Sequence, residues 1–225
     1  MDSVLYLLFA IAYTVLLFWG IALIARRRRM LPSDLVLLVV LALVYDNAVL
    51  AAGVLIGEGP ALELMNGLRF WFHAFVTPLL VLVGWHTGAR TGARWARSGW
   101  TAATAGLLTA GLIVWELAVG TVGMELSLRD EYGALSYTNT NAPEGPPLMA
   151  LVVVAVLLVA GILVWVKQRW PWLAVASVIM VAGTAIPWSL PSGAITNLFE
   201  LMLLIGIVAT VAFQDRTEPA PVPEV

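Results

Sequence analysis

Four polar groupings interrupt otherwise apolar runs of this chain: Asp46-Asn47, Arg69 with His73, Glu116, and Asn197 with Glu200. Asp46 lies near the centre of the run from Leu35 to Ile56. A carboxylate at that depth in a membrane is costly, so it normally faces a bundle interior or a cavity and marks a functional site. Arg69, His73 and Thr77 are spaced i, i+4, i+8 and share one helix face; Asn197 and Glu200, at i, i+3, share another. Carboxylates, an imidazole and two amides are the parts of acid–base chemistry. An isolated charge in lipid costs roughly 2.5–3.5 kcal/mol on insertion scales. Arg69 is therefore expected to pair with a carboxylate, with Glu116 or Glu63 at the matching depth.

The elements that must position these groups follow from composition. Of 225 residues, 61% are hydrophobic and 12% charged, and the mean hydropathy is +0.93. Soluble domains are nearer half apolar and a quarter charged. Run lengths predict seven membrane helices, near 4–25, 35–56, 64–86, 100–120, 148–166, 171–189 and 194–213. The first run is preceded by Asp2 and followed by its positive charges, the reverse of a secretory signal, so it is expected to stay as the first helix. The expected fold is all-α: one heptahelical domain over 1–213 and a short disordered cytoplasmic tail over 214–225, rich in proline.

Charge segregation orients this arrangement. Arg26 to Arg29, Arg90, Arg94, Arg97, Lys167, Arg169 and Arg216 all fall on one side. Glu58, Glu63, Glu125, Asp130, Glu131 and Glu144 fall on the other, with Arg129 the one cation among them. The positive-inside rule then places the N-terminus outside and the C-terminus in the cytoplasm. With a rise of about 1.5 Å per residue, Asp46 lies about 15 Å and Glu200 about 9 Å below the outer surface. The polar groups thus belong to the outer half or centre of the membrane and are expected to form a pocket opening outward. The longest loop, about Thr121 to Pro147, is external and reads either as a lid or as a solvated connector. Of ten tryptophans, most fit interfacial belts. Trp71, Trp115 and Trp188 lie near the polar set and would line a site for a cationic intermediate, as aromatic faces stabilise cations.

Several chemistries are excluded. Retinal attachment needs a lysine in the last helix, and the only lysine is Lys167, in a loop. The absence of cysteine removes thiolate ligands and nucleophiles. A zinc hydrolase needs about three protein ligands, and the two histidines, His73 and His86, stand about 20 Å apart along one helix. No Gly-rich phosphate loop, nucleophile elbow or H-E-x-x-H motif is present. Basic residues are too scattered for a nucleic-acid surface. Metal-free and cofactor-free acid–base chemistry, or binding alone, remains.

One enzyme hypothesis is protonation of a lipid-soluble substrate by a carboxylic acid held neutral by burial, followed by guidance of a carbocation. At Asp46 and Glu200 the chain resembles the small heptahelical integral-membrane terpene cyclases: overall length, seven helices, and an acidic residue in each of helices two and seven. The resemblance implies that Asp46 and Glu200, with Glu116 as a further candidate, are catalytic. They would protonate an isoprenoid alkene or epoxide to start cyclisation. Where that family's helix-two acid follows a tryptophan, this chain has Tyr45. The substrate-binding set is expected to be Tyr45, Asn47, Arg69, Trp71, His73, Trp115, Trp188 and Asn197. The residue types His73, Glu116, Asn197 and Glu200 are also similar to those of the emopamil-binding sterol isomerases, which shift a double bond in a membrane cavity. The alternative from another class is a proton-coupled transporter or lipid binder, because intramembrane Asp, Glu and His also build proton pathways. Partners expected are an isoprenoid substrate and membrane lipids, in a multi-pass protein of a bacterial or archaeal cell membrane.

Overall fold

A computed structural model describes residues 2–142, 147–185 and 193–217. It is mostly helical. In chain order the helices are α1 (Asp2–Arg27), α2 (Val36–Ile56, entered through a tight turn at Pro32–Leu35), α3 (Pro60–Val76), α4 (Leu79–Ala89), α5 (Gly99–Glu116), α6 (Leu148–Gln168), α7 (Trp172–Ala185) and α8 (Ala194–Thr217). Among the described residues, six helical stretches are long and apolar enough to cross a membrane, with α3 and α4 together forming one of them; α7 is apolar but shorter. Large apolar side chains face outward along α1 (Leu7, Leu8, Ile11, Val15, Phe18) and α5 (Leu107, Val114). Such an apolar girdle is what lipid requires and what water penalises.

The α3–α4 break has a chemical cause. Pro78 carries no N–H and cannot continue the helical ladder. Thr77 N still donates to His73 O at 3.1 Å, and the chain turns through tighter bonds from Leu80 N to Thr77 O and Val81 N to Pro78 O. His73 and Thr77 therefore sit at a bend. Elsewhere small residues let backbones approach: a Cβ on Gly161 of α6 would lie 2.5 Å from the Ala174 N of α7, and one on Gly206 of α8 2.7 Å from the Ala176 Cβ. The buried core runs along α1, α2, α4, α6, α7 and α8 through Tyr13, Val40, Val83, Leu157, Leu173 and Ile207.

Two expectations need correction. The segment read as an external lid or connector holds an antiparallel hairpin, β1 (Leu126–Glu131) and β2 (Ala134–Asn139), so the fold is not purely all-α. Its two-residue turn, Tyr132-Gly133, has positive φ at both positions (50° and 81°), the geometry that matches strand twist in tight hairpins. The signal was legible: alternation on both sides of a Tyr-Gly pair. Residues 214–217, expected to begin the tail, are helical, and 218–225 lie outside the described residues. Helix α8 continues to Thr217, with Gln214 buried and bonded to Thr87 O and Gln168.

Lone hairpins are marginal, and this one is held from three sides. Tyr132 O accepts from Asp2 N at 3.1 Å, and Ser3 Oγ donates to Gly133 O. Asn139 Nδ2 donates at 2.9 Å to Gly120 O, in the wide π-turn (Leu117–Thr121) that ends α5. Below, Leu135 O lies so close to Gly53 of α2 that an added Cβ would fall 1.8 Å from it. Gly53→Ala is thus expected to lift the hairpin without unfolding the bundle. Hydrogen exchange should show faster amide exchange confined to 126–139, and unchanged exchange there would refute this anchoring.

At the opposite, basic end, Arg27 bridges Asp34 and, at 2.6 Å, Asp215, which also accepts from Arg90 at 2.8 Å. This cluster ties α1, the turn before α2, α4 and α8.

Candidate functional site

Single faces of three helices carry the polar residues that share one chamber. On α2, Val39, Ala42, Leu43, Asp46 and Leu50 recur at helical spacing. On α3, Arg69, Phe70, His73, Val76 and Thr77 do so, and on α8, Thr196, Asn197, Glu200, Leu203 and Leu204. Apart from Asp46, Arg69, His73, Thr77 and Glu200, the inner part is walled by apolar side chains, including Leu80, Val153 and Met180. The outer part, about 360 Å³, lies beneath the hairpin and is polar. Leu43, Asp46, Arg69, His73 and Glu200 border both parts. The expected convergence of Asp46, Arg69, His73, Asn197 and Glu200 is therefore present.

Within it, Arg69 is the organising cation. Its Nε donates to Asp46 Oδ1 at 2.7 Å, and its Nη1 to Asn66 Oδ1 at 2.6 Å. Asn66 is fully buried and fixed by donating to Leu62 O at 2.8 Å. The partner of Arg69 is thus Asp46, not Glu116 or Glu63. Depth alone misled because it ignores azimuth: α2 and α3 pack side by side and turn both groups to the same gap. A charge-assisted pair at this distance engages the Asp46 carboxylate. Glu200 differs: among the described residues it makes no hydrogen bond or ion pair, although it lines both parts of the chamber. Asp46 acts on it electrostatically. Opposite, His73 presents its ring to the chamber with Nδ1 3.2 Å from Thr77 Oγ1.

The other expected residues occupy supporting or separate positions. Asn197 is nearly buried, and its carbonyl accepts from the buried Tyr13 hydroxyl at 3.1 Å. Tyr45 and Asn47 flank Asp46 but point elsewhere, because neighbours on a helix diverge by about 100°. Tyr45 donates to Met65 O at 3.0 Å and meets Phe72 edge-on. Asn47 donates to Leu43 O at 2.9 Å and leaves its buried Oδ1 without a partner. Trp71 stacks on Phe75, at a 6.0 Å ring separation, outside the chamber lining. Trp115 of α5 is 48% exposed and lines neither part of the chamber. Glu116 ends α5 with its carboxylate against Gly120; it lines neither part of the chamber but is within electrostatic reach of His73. Trp188 lies outside the described residues.

The hairpin contributes residues that sequence reasoning missed. Arg129, Glu131, Ala134, Ser136 and Thr138 share one strand face and line the outer chamber. Arg129 and Glu131 form an ion pair there. Tyr6 of α1 completes the wall. Among the described residues, no group of three or more His, Asp or Glu is arranged to hold a metal ion. No known protein-family model matches the chain, and no curated protein matches it in sequence.

Proposed function

We propose that this protein is an integral-membrane enzyme that protonates an isoprenoid or comparably apolar substrate and releases a rearranged isomer. The carrying observation is Glu200. Among the described residues it is a carboxyl group without a hydrogen-bond or ion-pair partner, at the junction of an aliphatic pocket and a more polar vestibule. A substrate tail fits the inner pocket, and its oxygenated end fits the vestibule under Arg129 and Ser136. Glu200 then donates a proton to the alkene or epoxide at the boundary. The ion-paired Asp46 supplies a fixed negative charge beside the cation that forms, an electrostatic role that needs no reorganisation. His73, oriented by Thr77, accepts the proton that ends the reaction. A cyclase and a double-bond isomerase share the first step and differ in whether a new C–C bond forms before that loss.

The proposal includes seven membrane crossings, with α7 as the sixth and the hairpin outside. The segregated cations and the alternation of helices support it. Because the chain has no cysteine, single substitutions report side cleanly. Thr140→Cys should react with an impermeant maleimide on intact cells, and Ser98→Cys only after permeabilisation; the reverse pattern would invert the topology.

A transport reading draws on the vertical succession of Arg129, Glu131, Arg69, Asp46 and Glu200, which resembles a proton path. The two readings separate in one experiment. Cells expressing the protein are fed prenyl alcohols, prenylated aromatics and their epoxides, and extracts are analysed by mass spectrometry. A product of unchanged mass and altered retention is expected. Proton flux in sealed liposomes with no such product would replace the enzyme by a transporter.

A further inference from the structure

A second cavity, of about 300 Å³, lies at the basic end, far along the bundle from the chamber, between α4, α5 and α6. Helix α4 is the common neighbour along which α5 and α6 each pack. The cleft between them is lined by Gly84 and Gly88 on its floor, Leu108 and Val156 on its sides, and Trp95 and Trp100 at its mouth. At Gly88 an added Cβ would meet the Leu163 Cδ1 at 3.5 Å, ordinary contact, so the missing side chain lets α6 close the floor of the cleft. Trp95 and Trp100 are 50% and 65% exposed, and Val159 of α6 is 52% exposed, so the cleft opens sideways to the membrane.

We propose that this cleft binds an anionic phospholipid from the adjacent leaflet, one acyl chain lying in the cleft and the phosphate at the Arg94–Arg97 turn. The walls are carbon, which suits a chain and excludes a polar metabolite. The turn is rigid: Trp85 Nε1 donates to Ala96 O at 3.0 Å, and Thr101 Oγ1 reaches the carbonyls of Trp95, Ala96 and Ser98. Arg94 and Arg97 flank the lining residues Trp95 and Ala96 and are exposed. Unlike Arg27 and Arg90 at the same end, which are held by Asp34 and Asp215, neither is ion-paired among the described residues. Two uncompensated guanidinium groups beside an apolar slot match an anionic headgroup. A zwitterionic lipid offers the same chain but brings its own cation to the arginines. The inference is independent of the chemistry proposed for Glu200.

The test is native mass spectrometry of the detergent-solubilised full chain, titrated with phosphatidylglycerol or phosphatidylcholine of identical acyl chains. Phosphatidylglycerol should be retained at least about fivefold better. Arg94→Gln with Arg97→Gln should reduce it to the phosphatidylcholine level. Thr104→Trp, which fills the cleft from an exposed position, should abolish retention of both; if that variant fails to fold, Val159→Trp fills the cleft from α6. Equal retention of the two lipids by the wild type would overturn the proposal. So would full retention by the filled variant, or a protein dimer, free of lipid, that the filled variant dissociates, since a second copy would then occupy the cleft.

Discussion

Glu200→Gln is expected to lower turnover by roughly 10²–10⁴-fold, the contribution typical of a positioned general acid. The substitution keeps shape and removes only the transferable proton. Glu200 makes no hydrogen bond or ion pair among the described residues, so the amide breaks no network, and thermal stability in detergent should hardly change. That combination separates a chemical role from a structural one. Glu200→Asp keeps the acid but withdraws it by one methylene from the boundary between pocket and vestibule, and should retain partial activity. The assay is product formation by mass spectrometry at matched expression, with a detergent melting curve as control. Full turnover in Glu200→Gln would remove the residue from the mechanism and, with it, the main support for an enzyme of this type.

The second large effect concerns stability. The Arg69–Asp46 pair is mostly enclosed, with side-chain exposures of 15% and 22%. Removing one partner of a buried pair leaves an uncompensated charge and costs about 3–5 kcal/mol; replacing both with neutral groups costs far less. Asp46→Asn and Arg69→Met alone are each expected near the lower end of that range, because the chamber keeps both groups partly solvated. The double substitution should recover most of the loss. Unfolding in mixed micelles measures all three, and additive losses in the double variant would show that the pair is not coupled. Activity then reads a different quantity. A stable, inactive double variant would assign the Asp46 charge to transition-state stabilisation. A stable, active one would make the pair a strut that holds α2 to α3.

Such a strut was only half visible in the residues themselves. That Arg69 needs a carboxylate follows from the cost of a bare charge in lipid, but depth pointed to Glu116 or Glu63. Depth depends on rise along an axis, which sequence supplies; the partner depends on helix rotation, which packing decides. The same distinction explains the tryptophans. Trp115 has the right depth for the chamber and the wrong azimuth, so it faces outward.

The hairpin failed for another reason. Its polarity and length marked residues 121–147 as external, and a short two-residue period stood on each side of Tyr132-Gly133, at Leu126 and Leu128 before it and Leu135 and Tyr137 after it. Length and polarity read equally as a lid or a solvated connector and did not single out paired strands. Its position is nevertheless tertiary, because Gly53, the first residues of α1 and the turn that ends α5 fix it over the chamber.

By itself the sequence determined the long apolar helices, their order, the separation of charge between the two ends and the group of ionisable residues too costly to leave in lipid. These follow from local quantities: run length, residue type and transfer cost. Tertiary structure alone decided that Asp46 is spoken for by Arg69 while Glu200, among the described residues, has no hydrogen-bond or ion-pair partner, and that a strand pair roofs them. Those outcomes depend on how helices rotate and pack against one another, which involves contacts between residues distant in the chain that no local pattern encodes.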